Sequence, residues 1–329
     1  MGTPVARATL AGIQQPVRRQ LDAVFAELVR IVKADFPLIG DVNTHLLRIR
    51  GKMFRPTLLL LSAQATREEA PRDVTLAAVM ELIHLATLIH DDSVDHSVLR
   101  RGQPTVNALF SHQTAVIMGD YLYSRAITEL VALDDLEPLR VISRVTNEMT
   151  VGEMREIEAH DVLAFAESDY HRMIDAKTAS LMAGACDVGG IGARPADRDA
   201  LRRYGRYLGQ AFQIADDLLD YTSTEELTGK PTGLDLREHK ITLPLIAALP
   251  AMQAAERQLV QRLMDDPTPD DDLITDVIRA VEIRGGIAAA RERAQNLAQQ
   301  AEAELDGLAP SRARDALREC ITYAVERRS

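Results

Sequence analysis

Residues 81–95, ELIHLATLIHDDSVD, join a long apolar run to three aspartates, Asp91, Asp92 and Asp95. Apolar side chains recur there at intervals of three and four positions, which predicts a helix with a buried face. Asp91 and Asp95 are four positions apart, so a helix places both carboxylates on one face, where their like charges destabilise it. A bound divalent cation would reverse that repulsion. The segment therefore predicts a metal site at the C-terminal end of a buried helix.

A second segment repeats this spacing of aspartates. Residues 209–220, GQAFQIADDLLD, carry Asp216, Asp217 and Asp220 after another amphipathic run. Each triplet ends a predicted helix and is followed by a basic loop that contains glycine. The alternative interpretation is a pair of solvated acidic stretches in an acidic protein. Two copies of one spacing in the same context favour paired metal sites instead.

The donor atoms of these triplets indicate which metal to expect. Magnesium takes oxygen ligands, keeps several waters and is often completed by substrate phosphates. Zinc fits less well, because His84, His90 and His96 are spaced by six residues and therefore do not share a helical face. The chain also lacks GxSxG and the Walker-type GxxxxGKS/T, so neither a hydrolase triad nor a nucleotide P-loop is supported.

Lysine is rare in this chain. Of 38 basic residues only five are lysines, and arginine takes most other basic positions. A retained lysine supplies a compact point charge, which suits a cluster of diphosphate oxygens. Four of the five lie in segments rich in polar residues, namely Lys52, Lys177, Lys230 and Lys240. Each alone is as consistent with a surface position, but beside two acidic triplets they favour phosphate binding.

Composition predicts helix throughout. Trp is absent, aromatic residues make up 4% of the chain, and apolar residues recur at helical intervals over long windows. Pro37 and Gly40 predict a break after the first helix, and loops are expected at 97–104 and 222–235. The predicted helices cover 8–34, 55–66, 73–92, 112–132, 138–164, 169–189 and 197–222, with further helix after Pro244. No linker divides the chain, so we expect an all-α protein with a single domain over residues 1–329.

Several classes of protein are disfavoured. The formal net charge of −11 argues against a nucleic-acid surface, which needs a basic field. Cys186 and Cys320 lack a CxxC spacing and predict reduced packing residues in a cytoplasmic protein. Every apolar run is expected to fall short of the roughly 18 to 20 residues that span a bilayer, so the chain is predicted not to be integral to a membrane.

Seven segments occur in the order found in one known family. They are RGKMFRP at 50–56, ELIHLATLIHDDSVD at 81–95, RRGQPT at 100–105, MGDYLYSRA at 118–126, KTAS at 177–180, GQAFQIADDLLD at 209–220 and GKPTGLDLREHKITLP at 229–244. On these segments the chain resembles the trans-isoprenyl diphosphate synthases, or polyprenyl synthetases, over almost its whole length. The resemblance implies a large helical bundle of the isoprenoid synthase type with a central active-site cavity. It also implies a homodimer.

The resemblance implies a role for each matching residue. Metal ligands for about three Mg²⁺ ions would be Asp91, Asp92, Asp95, Asp216 and Asp220. Asp217 belongs to the second motif and would act through water or a neighbouring residue. The allylic diphosphate would contact Arg100, Lys177, Lys230 and Lys240. Isopentenyl diphosphate would be held without metal by Lys52, Arg55, His84 and Arg101. Thr178 and Gln213 would lie beside the developing allylic cation.

The implied reaction is a head-to-tail (1′-4) condensation. The allylic C–O bond ionises, the isopentenyl double bond attacks the cation, and loss of a proton restores an alkene. Three positions depart from the pattern of the family: Arg50 replaces a glycine, Met53 replaces a common basic residue, and His239 replaces a glycine before Lys240. None of the three is a metal ligand, so the reaction class is unaffected.

Product length is predicted from the residues before the first motif. In this family the residues four and five positions before it face the growing chain, and here they are Thr87 and Ala86. Both are small, which favours a medium or long all-trans product of the octaprenyl type, such as a quinone side chain. Such a product could bring the enzyme into peripheral contact with a membrane on release. The alternatives are a short-chain farnesyl or geranylgeranyl synthase, a terpene cyclase, and a noncatalytic partner subunit.

Overall fold

A computed structural model of the protein describes residues 8–48, 51–100, 102–158, 165–222 and 232–326. Within these ranges nearly every regular element is helical. The exception is a small antiparallel hairpin, β1 (Leu99–Arg100) paired with β2 (Gln103–Pro104). The predicted all-α class is therefore confirmed.

Seventeen α-helices are described in these ranges. They are α1 Leu10–Gln14, α2 Arg18–Ile31, α3 Pro37–Arg48, α4 Phe54–Thr66, α5 Arg72–Val94, α6 Val106–Leu109, α7 His112–Ala132, α8 Leu136–Glu158, α9 Glu167–Ile174, α10 Ser180–Gly189, α11 Pro195–Thr222, α12 Leu234–Arg237, α13 Leu243–Ala248, α14 Ala254–Asp265, α15 Asp271–Ile283, α16 Gly286–Glu304 and α17 Arg312–Val325. Short 3₁₀ turns occupy Gln15–Val17 and Leu249–Ala251, and a π turn occupies Asp175–Ala179.

The two helices that carry the aspartate triplets lie at the centre of the packing. Helix α5 packs against α2, α4 and α7, and α11 packs against α10 and α16. Buried apolar side chains form two clusters, and α11 contributes Tyr204 and Leu208 to the first and Ile214 and Leu218 to the second. One helix thus joins both clusters, although the single domain over 1–329 stays a prediction.

Some predicted boundaries were wrong. Pro37 was expected to end a helical region, yet it begins α3, because proline is well tolerated in the first turn of a helix, where its missing N–H costs nothing. The first predicted helix is divided by the 3₁₀ turn that contains Pro16. The helix predicted over 169–189 is interrupted by the π turn. Residues 159–164 of another predicted helix lie outside the described residues.

Helix α5 corrects the expectation about membrane spans. It contains an 18-residue window of mean hydropathy 1.4 that would suit a bilayer by length and composition, and 61% of that window is buried inside the protein. Most of that window is therefore covered by neighbouring helices, and Asp91 and Asp92 lie near the end of the helix. Both cysteines are free and buried, as predicted.

Candidate active site

The first aspartate motif closes helix α5. Asp91 and Asp92 lie in its last turn, and Asp95 is the C-cap residue. Asp92 is buried, and Arg100 of β1 donates from Nε to both of its carboxylate oxygens at 2.8 and 3.0 Å. Arg100, predicted to contact a diphosphate, is thus tied to the first motif by an ion pair in which one N–H is shared between two carboxylate oxygens.

Lys177 faces the same end of α5 from the π turn. Its ammonium group donates to Glu153 Oε2 at 3.0 Å and also to Glu156. Both glutamates lie on α8, three positions apart and therefore on one face. Neither was predicted from the sequence as a site residue. The sequence feature that could have indicated them is an acidic pair on α8 that follows directly after the buried residues Met149 and Gly152.

Burial controls the titration of this acidic group. It raises the pKa of Asp91 to about 6, although Lys177 and Arg100 oppose the shift. Burial likewise raises the pKa of Glu153 to about 7, and the nearby charges of Asp91 and Glu156 add to the shift, although Lys177 opposes it. Burial lowers the pKa of Lys177, but Glu156 and Glu153 outweigh it and the net direction is upward. The site therefore holds more buried negative charge than its cations balance.

The second motif lies in the last two turns of α11. The Asp220 carboxylate accepts from the backbone N–H groups of Leu234 and Asp235 at 2.9 and 3.0 Å, at the start of α12. Burial, with the nearby charges of Asp217 and Asp220, raises the pKa of Asp235 well above its ordinary value. Asp216 lies one turn before Asp220 on the same helix.

Asp217 organises a chain of hydrogen bonds inside the protein. The Tyr170 hydroxyl donates to Asp217 Oδ2 at 2.5 Å, and Gln213 Nε2 donates to Oδ1 at 2.8 Å. The Thr178 hydroxyl in turn donates to Gln213 Oε1 at 2.8 Å. Burial raises the pKa of Asp217 above its ordinary value, although the hydrogen bonds from Tyr170 and Gln213 oppose the shift. Tyr170 was not predicted, although it precedes Lys177 by seven residues, two helical turns.

Lys240 joins the two halves of the site. Its Nζ lies 3.9 Å from Asp95 Oδ2 and 2.8 Å from Glu238 Oε2. Burial lowers the pKa of Lys240, but the contacts with Glu238 and Asp95 give a net upward shift. The preceding residue, His239, has a left-handed backbone with φ of 57°, which explains why glycine is common there in the family that the chain resembles. The loop after the second motif therefore reaches the first.

The residues predicted to hold isopentenyl diphosphate lie around the start of α4. Lys52 is exposed and Arg55 is half-buried, and between them Met53 has a left-handed φ of 50°. His84 lies on α5, two turns before Asp91. Arg101 and Lys230, together with the departure at Arg50, lie outside the described residues. The grouping of these side chains stays a prediction.

The π turn sets the direction of two predicted site residues. The Ser180 N–H donates to the Asp175 carbonyl, five residues back, so the turn holds one more residue than an α-helical turn. A Cβ added at Gly209 would lie 2.5 Å from Ala179 Cα, and one added at Gly152 would lie 2.7 Å from Lys177 N. Both neighbouring helices therefore approach the backbone of the turn through glycine.

The Gly209→Ala variant is expected to lose about 1 to 3 kcal/mol of unfolding free energy, because the clash is with backbone and cannot be relieved by a side-chain rotation. Turnover should also fall, since the π turn must move. Gly40→Ala is the matched control: Gly40 is also helical, and nothing lies within 4 Å of its added Cβ. That control should gain about 0.5 to 1 kcal/mol. Equal urea midpoints for the two variants would contradict the close approach.

The donor set suits a hard divalent cation. Buried carboxylates with raised pKa values and surplus negative charge are stabilised when such an ion binds. Among the residues that the structure describes, no three His, Cys, Asp or Glu side chains converge closely enough to hold an ion. The ligand set of Asp91, Asp92, Asp95, Asp216 and Asp220 therefore stays a prediction.

Magnesium should stabilise the protein more at pH 8 than at pH 5.5. Asp91 and Glu153 have folded pKa values of about 6 and about 7, above their ordinary values, so their protonation favours the folded state at low pH. That contribution is lost as pH rises through 6 to 7, and metal binding, which needs the ionised carboxylates, restores it. Melting temperatures with magnesium or chelator at both pH values measure this.

The Glu153→Gln variant provides the control for this pH dependence. In this variant the melting temperature of the metal-free protein should fall less between pH 5.5 and 8 than it does in the parent. Lowered pKa values at Glu27, Glu167 and Glu256 act below about pH 4.5 and fall outside this window. An equal magnesium effect at both pH values would contradict the expectation.

Comparison with known proteins gives a consistent result. The family model described as polyprenyl synthetase matches residues 36–281. Octaprenyl diphosphate synthase of Escherichia coli K12 is 35% identical over 97% of this chain and 99% of its own. An all-trans-nonaprenyl-diphosphate synthase of Rhodobacter capsulatus, described as geranyl-diphosphate specific, is 37% identical over 96% of this chain and 97% of its own.

A solved structure is similar over the same extent. The polyprenyl synthase from Caulobacter crescentus CB15, complexed with calcium and isoprenyl diphosphate, superposes with a TM-score of 0.93 at 31% identity. The alignment covers 99% of this chain and 100% of that one. The superposition therefore spans the regions of this chain that carry both aspartate motifs.

Proposed function

The chain belongs to the polyprenyl synthetase family, and from that premise we propose that it condenses isopentenyl diphosphate with an allylic diphosphate to give an all-trans polyprenyl diphosphate. It is a prenyltransferase with the all-α isoprenoid synthase fold. The observation that carries the finer proposal is the meeting of the two motifs, where Lys240 from the second loop lies 3.9 Å from Asp95 of the first. An allylic diphosphate between them would meet carboxylates for metal and lysines for phosphate.

Ionisation of the allylic C–O bond places negative charge on the departing diphosphate. Lys177 and Lys240 supply fixed positive charge where it develops, and Arg100 extends that field. Carboxylates of Glu153 and Glu238 hold Lys177 and Lys240 in place, which orients both ammonium groups. About three magnesium ions, held by Asp91, Asp92, Asp95, Asp216 and Asp220, would neutralise diphosphate charge as Lewis acids when bound. Lys230 would join this set.

The allylic cation needs a dry pocket and a few fixed dipoles. Thr178 is buried, and a hydrogen bond to Gln213 fixes its hydroxyl. Gln213 is held in turn by Asp217, which also accepts a hydrogen bond from Tyr170. Their oxygens would lie beside the cation and exclude water from it. C4 of isopentenyl diphosphate attacks C1 of the cation, one C–C bond forms, and the C2 proton leaves for the released diphosphate. No other base is required.

Isopentenyl diphosphate would bind without metal at the start of α4. Lys52, Arg55 and Arg101 would pair with its diphosphate, and His84 would add a hydrogen bond from α5. Met53 in place of a basic residue removes one charge from this pocket.

The product is proposed to be of medium or long chain, near octaprenyl, as for a quinone side chain. The support is the small side chain of Ala86, five residues before Asp91 on α5. We propose a cytoplasmic enzyme, and because such a product is insoluble in water, the enzyme would contact a membrane at its surface during release. A short-chain farnesyl or geranylgeranyl synthase is the alternative.

Product sizing tests this proposal directly. The purified chain is incubated with magnesium, isopentenyl diphosphate and geranyl or farnesyl diphosphate, and the dephosphorylated products are separated by chromatography. Products ending near octaprenyl are expected, with none in excess chelator. Products that stop at farnesyl or geranylgeranyl length would establish the alternative. Inactivity of the folded chain alone would indicate a noncatalytic partner subunit.

Homodimer formation is proposed on the exposed apolar faces of α7 and α8. Ile117 and Val131 on α7 are 64% and 62% exposed, and Met154 and Ile157 on α8 are 54% and 49% exposed. Such faces usually mark an interface with another chain. Light scattering of the purified protein should give twice the chain mass, and Ile117→Asp should reduce it. A monomeric mass at micromolar concentration would contradict the proposal.

A further inference from the structure

The π turn that carries Lys177 and Thr178 is anchored by an ion-pair network outside the proposed active site. Arg206 of α11 donates from Nη1 to Asp175 Oδ2 at 3.0 Å, and from Nη2 to Glu148 Oε2 of α8 at 2.8 Å. Gln210, one turn along α11, donates from Nε2 to Asp175 Oδ1 at 2.7 Å. Asp175 is the first residue of the turn, and both of its carboxylate oxygens are engaged from α11.

We propose that Asp175 and Arg206 are positioning residues, which hold the π turn in the register that aims Lys177 at the first aspartate motif and Thr178 at Gln213. This inference rests on the proposed function for the roles of Lys177 and Thr178. Neither Asp175 nor Arg206 touches the reacting groups, so both act through the turn.

The geometry of a π turn makes its register important. The turn contains one residue more than an α-helical turn, and each residue of an α-helix advances the chain by about 100°. Reversion to α-helix would therefore rotate Lys177 and Thr178 relative to α10 by about that angle. Either Lys177 would then lose its contact with the glutamates of α8, or Thr178 would lose its hydrogen bond to Gln213 of α11.

The planar fork of Arg206 suits this task. It binds two carboxylates from different elements at once, which fixes the start of the turn between α8 and α11. The side chains of Asp175 and Arg206 are 26% and 39% exposed, so the pair adds little to global stability. Its expected effect is on the position of the turn and not on the melting temperature.

Three variants isolate this role: Asp175→Asn, Arg206→Gln and the control Arg203→Gln. Arg203 lies on the same helix, is 47% exposed and makes a bidentate ion pair with Glu304, with both distances 2.8 Å, away from the π turn. We expect Asp175→Asn and Arg206→Gln to lower kcat by about 10- to 100-fold, since misplacement by about 1 Å has effects of that size. KM for isopentenyl diphosphate and the melting temperature should stay near the parent values, and Arg203→Gln should match the parent throughout.

Coupling and exchange measurements complete the test. The kcat of the Asp175→Asn/Arg206→Gln double variant should be no lower than that of the less active single variant, because the two residues act as a unit. Amide hydrogen exchange over residues 174–180 should quicken in both single variants and not in Arg203→Gln. This second measurement needs no activity, so it separates failure of the positioning role from failure of the proposed function. The proposal would be overturned if exchange and kcat in Asp175→Asn and Arg206→Gln are indistinguishable from those of Arg203→Gln. It would also be overturned if Arg206→Lys recovers none of the kcat lost in Arg206→Gln while the losses of the two single variants add in the double variant.

Discussion

The Asp91→Asn variant is expected to lose turnover by about 10²- to 10³-fold while its metal-free form becomes more stable than the parent. The carboxylate is half-buried at the end of α5, and burial raises its pKa from 3.8 to about 6. Keeping it ionised at pH 8 therefore costs folding free energy, on the order of 1 to 3 kcal/mol. Asparagine removes that cost and, with it, a metal ligand.

These two opposite effects make the experiment specific. A residue needed only for packing would lose stability together with activity, whereas Asp91→Asn should gain in melting temperature under chelator and lose most of the magnesium shift. Asp216→Ala should lose turnover similarly. Asp199→Asn is the matched control, because Asp199 lies on α11 with Asp216, and is 57% exposed and paired with Arg202. Full activity of Asp91→Asn would exclude the metal-cluster mechanism.

The helices that carry the motifs could be predicted because their signals are local. The apolar spacing of residues 76–89 and of 204–218 reports a buried face, and each aspartate triplet follows directly. The end of α5 near Asp95 and the end of α11 at Thr222 agree with that pattern. Pro37 was misread because proline can either end a helix or begin one, and only the packing of α3 decides between these outcomes.

The π turn could not be predicted from its own residues. DAKTAS continues the helical pattern on both sides, and the extra residue is accommodated because Gly152 and Gly209, from distant segments, approach its backbone. Helical periodicity describes one helix and contains no information about how closely its neighbours come. Two such contacts, each with a glycine of another helix, set how closely α8 and α11 pack against the turn that carries Lys177.

The partners of the predicted site residues were missed for the same reason. Glu153 and Glu156 have the sequence pattern of a solvated helix face, and Tyr170 that of an ordinary core aromatic. Their contacts with Lys177 and Asp217 span 21 to 47 positions of the chain. A pattern search finds residues that share a segment, whereas these meet only after α8, α9 and α11 have packed.

The Ala86→Phe variant is expected to make a much shorter product, near farnesyl or geranylgeranyl length, while it retains condensation. Ala86 is 2% exposed and lies about 7.5 Å before Asp91 along α5, by the rise of five helical residues. A growing chain whose diphosphate is held at Asp91 would extend past this position. A phenyl ring there would occupy the space of further five-carbon units, so elongation would stop early.

The measurement must separate blocked elongation from a damaged core. Insertion of a large side chain at a buried alanine lowers the free energy of unfolding by about 1 to 3 kcal/mol. Total activity will therefore fall whether or not Ala86 lines the path of the product. The distribution of product lengths does not depend on how much of the enzyme is folded. A partly unfolded enzyme makes less product but not shorter product. Ala86→Met should give an intermediate length, and Ala86→Gly the parent length. If all three variants make the parent product, the growing chain does not pass Ala86, and another face of α5 must line its path.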